Sequence, residues 1–191
     1  MSAPRDLVFL GISGSLRSGS YNSAALRAAV SLVPQGVTLE TADISAIPLY
    51  NDDVKAARIP EAVEDLRSRI ERADALLIVS PEYNFSVPGV LKNAIDWLSR
   101  TPSVPFVRKP TALMGASQGV LGTARCQYHL RQVLTAVNAY VLNKPEVMIA
   151  SAAGKFDAAG NLTDPATREH IARLLPALAD WTRLLQQGGA R

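Results

Sequence analysis

Cysteine occurs once in this 191-residue sequence, at Cys126, and histidine twice, at His129 and His170. A single thiol excludes an internal disulfide. The two histidines stand far apart with no HExxH or CxxC companion, so no metal site is expected. Charge of neither sign dominates: the formal net charge is +3, with lysine and arginine scattered along the chain. That excludes the clustered basic face that nucleic acid requires, and leaves a mild attraction for small anions. The apolar stretch that follows MSAPRD is too short for a signal segment or a membrane span, so a cytoplasmic chain free of membrane partners is expected. Two familiar nucleotide loops are missing as well. Gly11, Gly14 and Gly19 do not fit G-x-G-x-x-G, and no Gly-Lys-Ser/Thr is present to hold nucleotide phosphates and Mg²⁺.

What is there is a chain that is 48% hydrophobic, enough for a sizeable core, with no evident repeat or linker. One domain over residues 1–191 is expected. Apolar runs suited to buried strands recur at Leu7 to Ile12, Val37 to Ala42, Ala75 to Ser80, Thr111 to Gly115 and, less cleanly, Tyr140 to Ile149. Between them, helical spacing covers Asn22 to Leu32, Pro60 to Arg72, Val87 to Ser99, Thr123 to Val137 and Pro165 to Leu185. Strict alternation of strand and helix predicts an α/β/α three-layer sandwich around a five-stranded parallel sheet, joined by right-handed crossovers. In the doubly wound order 2-1-3-4-5, the loops after strands one, three and four would meet over one crevice.

The first of those loops is GISGSLRSGSYN, Gly11 to Asn22. Its small residues let the main chain come close to a ligand, and the helix that follows offers unpaired amides with about half a positive charge. Ser13, Ser15, Ser18 and Ser20 add donors and Arg17 a fixed charge suited to a phosphate. The loop reads as a cradle for one terminal phosphate, such as that of FMN. Plain helix capping by the serines is the alternative.

The third strand leads into SPEYNFSVPGVLKNAIDW, Ser80 to Trp97. Pro81 and Pro88 restrict the backbone, so the amides between them can be held ready for the polar edge of a planar ring, with Tyr83 and Phe85 at its face or rim. Glu82 reads as a hydrogen-bonded structural carboxylate rather than a general acid or base, and Trp97 as core or subunit packing. The fourth strand opens into GASQGVLG, where Ser117, Gln118 and Gly119 can approach a ring edge. An ordinary turn would also use those residues.

Taken together, GSLRSGSYN at Gly14 to Asn22, PEYNFSVPGVLKNAIDW at Pro81 to Trp97 and GTARCQYHLRQVL at Gly122 to Leu134 resemble the NAD(P)H-dependent FMN reductase family of flavodoxin-like enzymes, in particular its quinone and chromate reductase branch. The resemblance runs over nearly the whole chain. It implies that Ser13, Gly14, Ser15, Leu16, Arg17, Ser18, Gly19, Ser20 and Asn22 hold the FMN phosphate. Pro81, Glu82, Tyr83, Asn84 and Phe85 would border the isoalloxazine, and Ser117, Gln118 and Gly119 would complete the site. It further implies a homodimer or homotetramer with Arg125, Tyr128 and Glu146 in a polar network between subunits. NADPH or NADH would be the electron donor, and no side chain would act as a catalytic acid or base. Quinones would be the main acceptors, with chromate, azo compounds, ferric chelates or free flavin as others. The alternative is a one-electron carrier or FMN-binding module on the same fold, against which the slightly basic charge argues.

Overall fold

The computed structural model describes residues 5–188. Its strands are β1 (Leu7–Ser13), β2 (Val37–Ala42), β3 (Ala75–Val79), β4 (Pro110–Ala116), β5 (Tyr140–Val141) and β6 (Val147–Ile149). The helices are α1 (Tyr21–Val30), α2 (Asp52–Ala57), α3 (Glu61–Arg72), α4 (Gly89–Leu98), α5 (Ala124–Ala136) and α6 (Pro165–Gly188). All strand pairs are parallel and run in the order β2-β1-β3-β4-β5, with β6 also on β4. Alternation of strand and helix predicts the parallel sheet, and this is the flavodoxin-like order that the resemblance implies. The fifth position is filled by two short strands: β5 pairs with the start of β4 and β6 with its end. Between them lies Pro145, which has no amide to donate to a ladder.

Every residue of β3 is buried, and its side chains alternate between two apolar layers. Leu77 and Val79 join Phe9 and Met114 under α1 and α6, whereas Leu76 and Ile78 join Leu10 and Leu113 under α3, α4 and α5. A strand covered on both faces needs an unbroken apolar run, which is why these segments were legible. Trp97 belongs to the second layer: it is fully buried, its indole N–H donates to the Pro48 carbonyl at 2.8 Å, and its ring meets Tyr50 edge-on at 5.0 Å. Of the two places open to it, it takes the core.

Two helices differ from expectation. α2 has no buried residue and carries no apolar stripe, so periodicity could not reveal it; the Asn51 side chain caps it by accepting from the Asp53 amide at 2.9 Å. α6 runs on through Pro176 to Gly188. No helix among the described residues is long and apolar enough to cross a membrane. Because every strand is parallel, the carboxyl ends of β1, β3 and β4 lie side by side along one edge of the sheet, and their loops emerge together.

Candidate functional site

The loop after β1 is built to bring backbone close. Gly14 donates its amide to the Val79 carbonyl at 2.9 Å, and a Cβ there would lie 3.1 Å from Leu91 and 3.3 Å from the Ser80 hydroxyl. Ser20 caps α1, accepting from the Asn22 and Ser23 amides at 3.2 and 3.3 Å. Of the four serines it alone caps. Ser13 and Ser15 instead accept from the amides of Ser15 and Arg17 within the loop, both at 3.4 Å, and Ser13 shares a hydrogen bond with Ser23 at 2.9 Å. Asn22 is buried and ties the loop across the sheet, donating to the Ala116 carbonyl at 2.9 Å and accepting from the Ala116 amide at 2.8 Å. Arg17 is exposed. Its guanidinium donates to the Gly19 carbonyl and lies 5.6 Å from the Tyr21 ring centroid.

The loop after β3 contains a two-residue hairpin. Tyr83 and Ser86 exchange backbone hydrogen bonds at 3.1 and 2.9 Å, and the residues between them, Asn84 and Phe85, have φ of 48° and 65°. Two successive left-handed residues define a type I′ turn, where glycine is usual at the second position. Phenylalanine there stores strain on the order of 1–3 kcal/mol. Among the described residues, the Asn84 and Phe85 amides have no partner.

Glu82 answers a separate local need. Thr123 opens α5 without capping it, because its hydroxyl accepts from the Gln127 side chain at 3.0 Å. Glu82 reaches across and takes the Cys126 amide at 3.1 Å, a carboxylate at a helix N-terminus. Its other oxygen holds Arg125, at 2.7 Å from Nε and 2.6 Å from Nη2, and its side chain is only 5% exposed. The expected hydrogen-bonded structural role thus has a geometry. Cys126 beside it is buried 3.3 Å from the Ser80 hydroxyl, and burial pushes its thiol up to about 11, so it is no nucleophile at neutral pH.

The loop after β4 is latched to the end of the neighbouring β6 and the residues that follow it. Ser117 donates its amide to the Ile149 carbonyl at 3.0 Å and accepts from the Ala152 amide at 3.0 Å, while its hydroxyl donates to the Gly122 carbonyl. Gly119 accepts from the Ser151 amide at 3.2 Å. Gln118 stays exposed at the rim.

The three loops enclose one cavity of about 660 Å³. Ser15, Arg17, Ser20 and Asn22 line it from the first loop, Pro81, Glu82, Tyr83, Asn84 and Phe85 from the second, and Ser117, Gln118 and Gly119 from the third. Ser13, Gly14 and Leu16 do not line it. Ser18 and Gly19 border an adjoining groove of about 280 Å³ instead. Three lining residues were missed: Tyr21, Ala116 and Arg125. Tyr21 carries a local signal, an aromatic directly after the capping Ser20. Arg125, which the resemblance implies at a subunit contact, bonds Glu82 within the chain and stacks on Phe85, its guanidinium carbon 3.5 Å from the ring centroid. Tyr128 is half-exposed on the same helix. Glu146 bonds Lys144, which holds its carboxyl below the usual range against the opposing effect of burial; the Tyr128 hydroxyl lowers it further.

Residues 8–154 match the family model described as NADPH-dependent FMN reductase. The chain belongs to that family. It is 60% identical over 181 residues to an NAD(P)H-dependent FMN reductase of Pseudomonas aeruginosa, covering 95% of this chain and 98% of the relative. It is 44% identical over 171 residues to a quinone reductase of Escherichia coli, covering 88% and 91%. Among solved structures, FerB, a flavoenzyme NAD(P)H:(acceptor) oxidoreductase from Paracoccus denitrificans, superposes with a TM-score of 0.84 at 35% identity, over 93% of this chain and 97% of that one. The cavity suits the cofactor of an FMN reductase family member: a cation and serine hydroxyls at one side, unpartnered amides and aromatic rings at the other.

Proposed function

We propose that this chain is an NAD(P)H-dependent, FMN-carrying oxidoreductase that reduces quinones by two electrons. The observation that carries the reading is the convergence of Arg17 and the first-loop serines with the open Asn84 and Phe85 amides on a single cavity. Ser15, Arg17 and Ser20 hold the phosphate, with Gly14 letting the loop pack closely on Leu91 and Ser80 and Asn22 fixing it to β4. The hairpin amides take the polar edge of the isoalloxazine, where held donors favour an anionic reduced ring. Pro81, Tyr83 and Phe85 border that ring, and Ser117, Gln118 and Gly119 close the site. When bound, FMN supplies the hydride acceptance at N5 and the delivery of both electrons to the acceptor. The chain's task is to hold and stack the partners in reach, and hydride transfer asks for no side-chain acid or base. A site open to solvent selects acceptors by planarity and potential, so chromate, azo compounds, ferric chelates and free flavin come second to quinones.

Anaerobic titration of the FMN-loaded protein with NADPH and then NADH tests this. Full two-electron bleaching, followed by return of the flavin absorbance on addition of a quinone, is expected. Flavin that neither nicotinamide bleaches would point to the carrier alternative.

We also propose that the protein works as a homodimer or homotetramer with Tyr128 and Glu146 at a subunit boundary, beside Arg125 on the same helix as Tyr128. Tyr128 is a half-exposed aromatic whose hydroxyl lies by a carboxylate shielded to 20% exposure. Tyr128→Ala is expected to shift the mass measured by light scattering toward smaller species. An unmoved mass rejects the assignment.

A further inference from the structure

We propose that Arg125 is a positioning residue of the flavin site, holding the Asn84–Phe85 turn in the left-handed conformation that leaves its two amides open. The proposal rests on the flavin reading above and names what keeps that site formed.

Phenylalanine at φ 65° is a poor occupant of a type I′ turn, and burial does not hold it there, since Phe85 is 62% exposed. What does face its ring is the Arg125 guanidinium, centred 3.5 Å from the ring centroid. That guanidinium is itself fixed. Nε and Nη2 both reach one oxygen of Glu82, and the other oxygen is held by the Cys126 amide in the first turn of α5. A second tether joins the same hairpin to the same helix, between the Ser86 hydroxyl and His129 Nδ1 at 3.1 Å. The order of support therefore runs from α5 through Glu82 and Arg125 to the Phe85 ring and the turn. Only a planar, forked cation can grip a carboxylate edgewise while stacking on an aromatic face, so lysine is no substitute.

The test uses the full chain with Arg125→Gln, Arg125→Lys, Phe85→Gly and the Arg125→Gln/Phe85→Gly double variant. In flavin-free protein, Arg125→Gln is expected to speed hydrogen exchange at the Tyr83 and Ser86 amides, which close the turn, by about tenfold. FMN titrated by fluorescence should bind about tenfold more weakly to both Arg125→Gln and Arg125→Lys. In the Phe85→Gly background the Arg125→Gln change should cost less than about twofold, because glycine takes the left-handed turn unaided. Unchanged exchange at the turn, an equal FMN loss in both backgrounds, or full rescue by Arg125→Lys would each overturn the proposal. A changed light-scattering mass with unchanged FMN affinity would overturn it too, and return Arg125 to a subunit boundary. Failure of the flavin reading looks different: the parent protein itself would bind no FMN, while the exchange measurement would still report whether Arg125 holds the turn.

Discussion

Arg17→Ala is expected to weaken FMN binding by about 10- to 100-fold, the equivalent of one charge-assisted hydrogen-bonded contact to a phosphate. The melting temperature of the flavin-free protein should hardly move. The asymmetry follows from position. Arg17 is exposed, and its guanidinium donates to the Gly19 carbonyl of its own loop and lies over the Tyr21 ring at the start of α1, contacts that leave the buried layers untouched. Its removal therefore acts on the ligand rather than on the fold. Arg17→Lys should fall between, keeping the charge and losing the fork that grips two phosphate oxygens. Because an exposed cation is screened, the gap between parent and variant should narrow as salt is raised. Flavin content unchanged after dialysis of Arg17→Ala would remove the phosphate from this loop.

The contrast between Arg17 and Arg125 shows what was legible in the sequence. Arg17 sits in a run of small and hydroxyl residues directly after a buried strand, so its neighbours in sequence are its neighbours in space. Arg125 depends on Glu82, 43 positions away, and no local pattern connects them. Asn22 is a similar case: adjacency places it with the phosphate loop, but its side chain is committed to Ala116, 94 residues on. The strands β1, β3 and β4 could be read because both faces of each are covered or nearly so, which demands apolar runs, whereas β2, at the sheet edge with Thr38, Glu40 and Thr41 exposed, shows only Leu39 and Ala42 buried. β5 and β6 total few residues and flank Pro145, so the run there was ragged, and the expected single strand proved to be two. α2 shows the reverse limit, since a helix that buries nothing leaves no periodic trace. The left-handed turn at Asn84 and Phe85 was hidden for a different reason. Phenylalanine is not a residue that announces such a turn, and the stack on Arg125 that favours it is a tertiary contact.

The close approach of β3 and β4 yields the largest effect on the fold itself. An ideal Cβ on Gly115 would lie 2.1 Å from the Ser80 carbonyl oxygen and 2.3 Å from the Thr123 hydroxyl oxygen. Neither can yield cheaply: the first is buried backbone where β3 ends, and the second is a fully buried residue at the start of α5 that also accepts from Gln127. Gly115→Ala is therefore expected to destabilise the protein by about 3 kcal/mol or more. For a chain of this size that lowers the melting temperature by roughly 6–12 °C. The same displacement pushes apart the ends of β3 and β4, from which the 81–86 and 117–119 loops spring, so FMN affinity should fall with stability. Gly89→Ala is the control. It stands at the first position of α4 with nothing within 4 Å of the added methyl, so it should be neutral or stabilising by about 0.4–1 kcal/mol. Urea unfolding of both variants decides the matter. Equal midpoints would mean that Gly115 is not the narrow point between the two strands that carry the site.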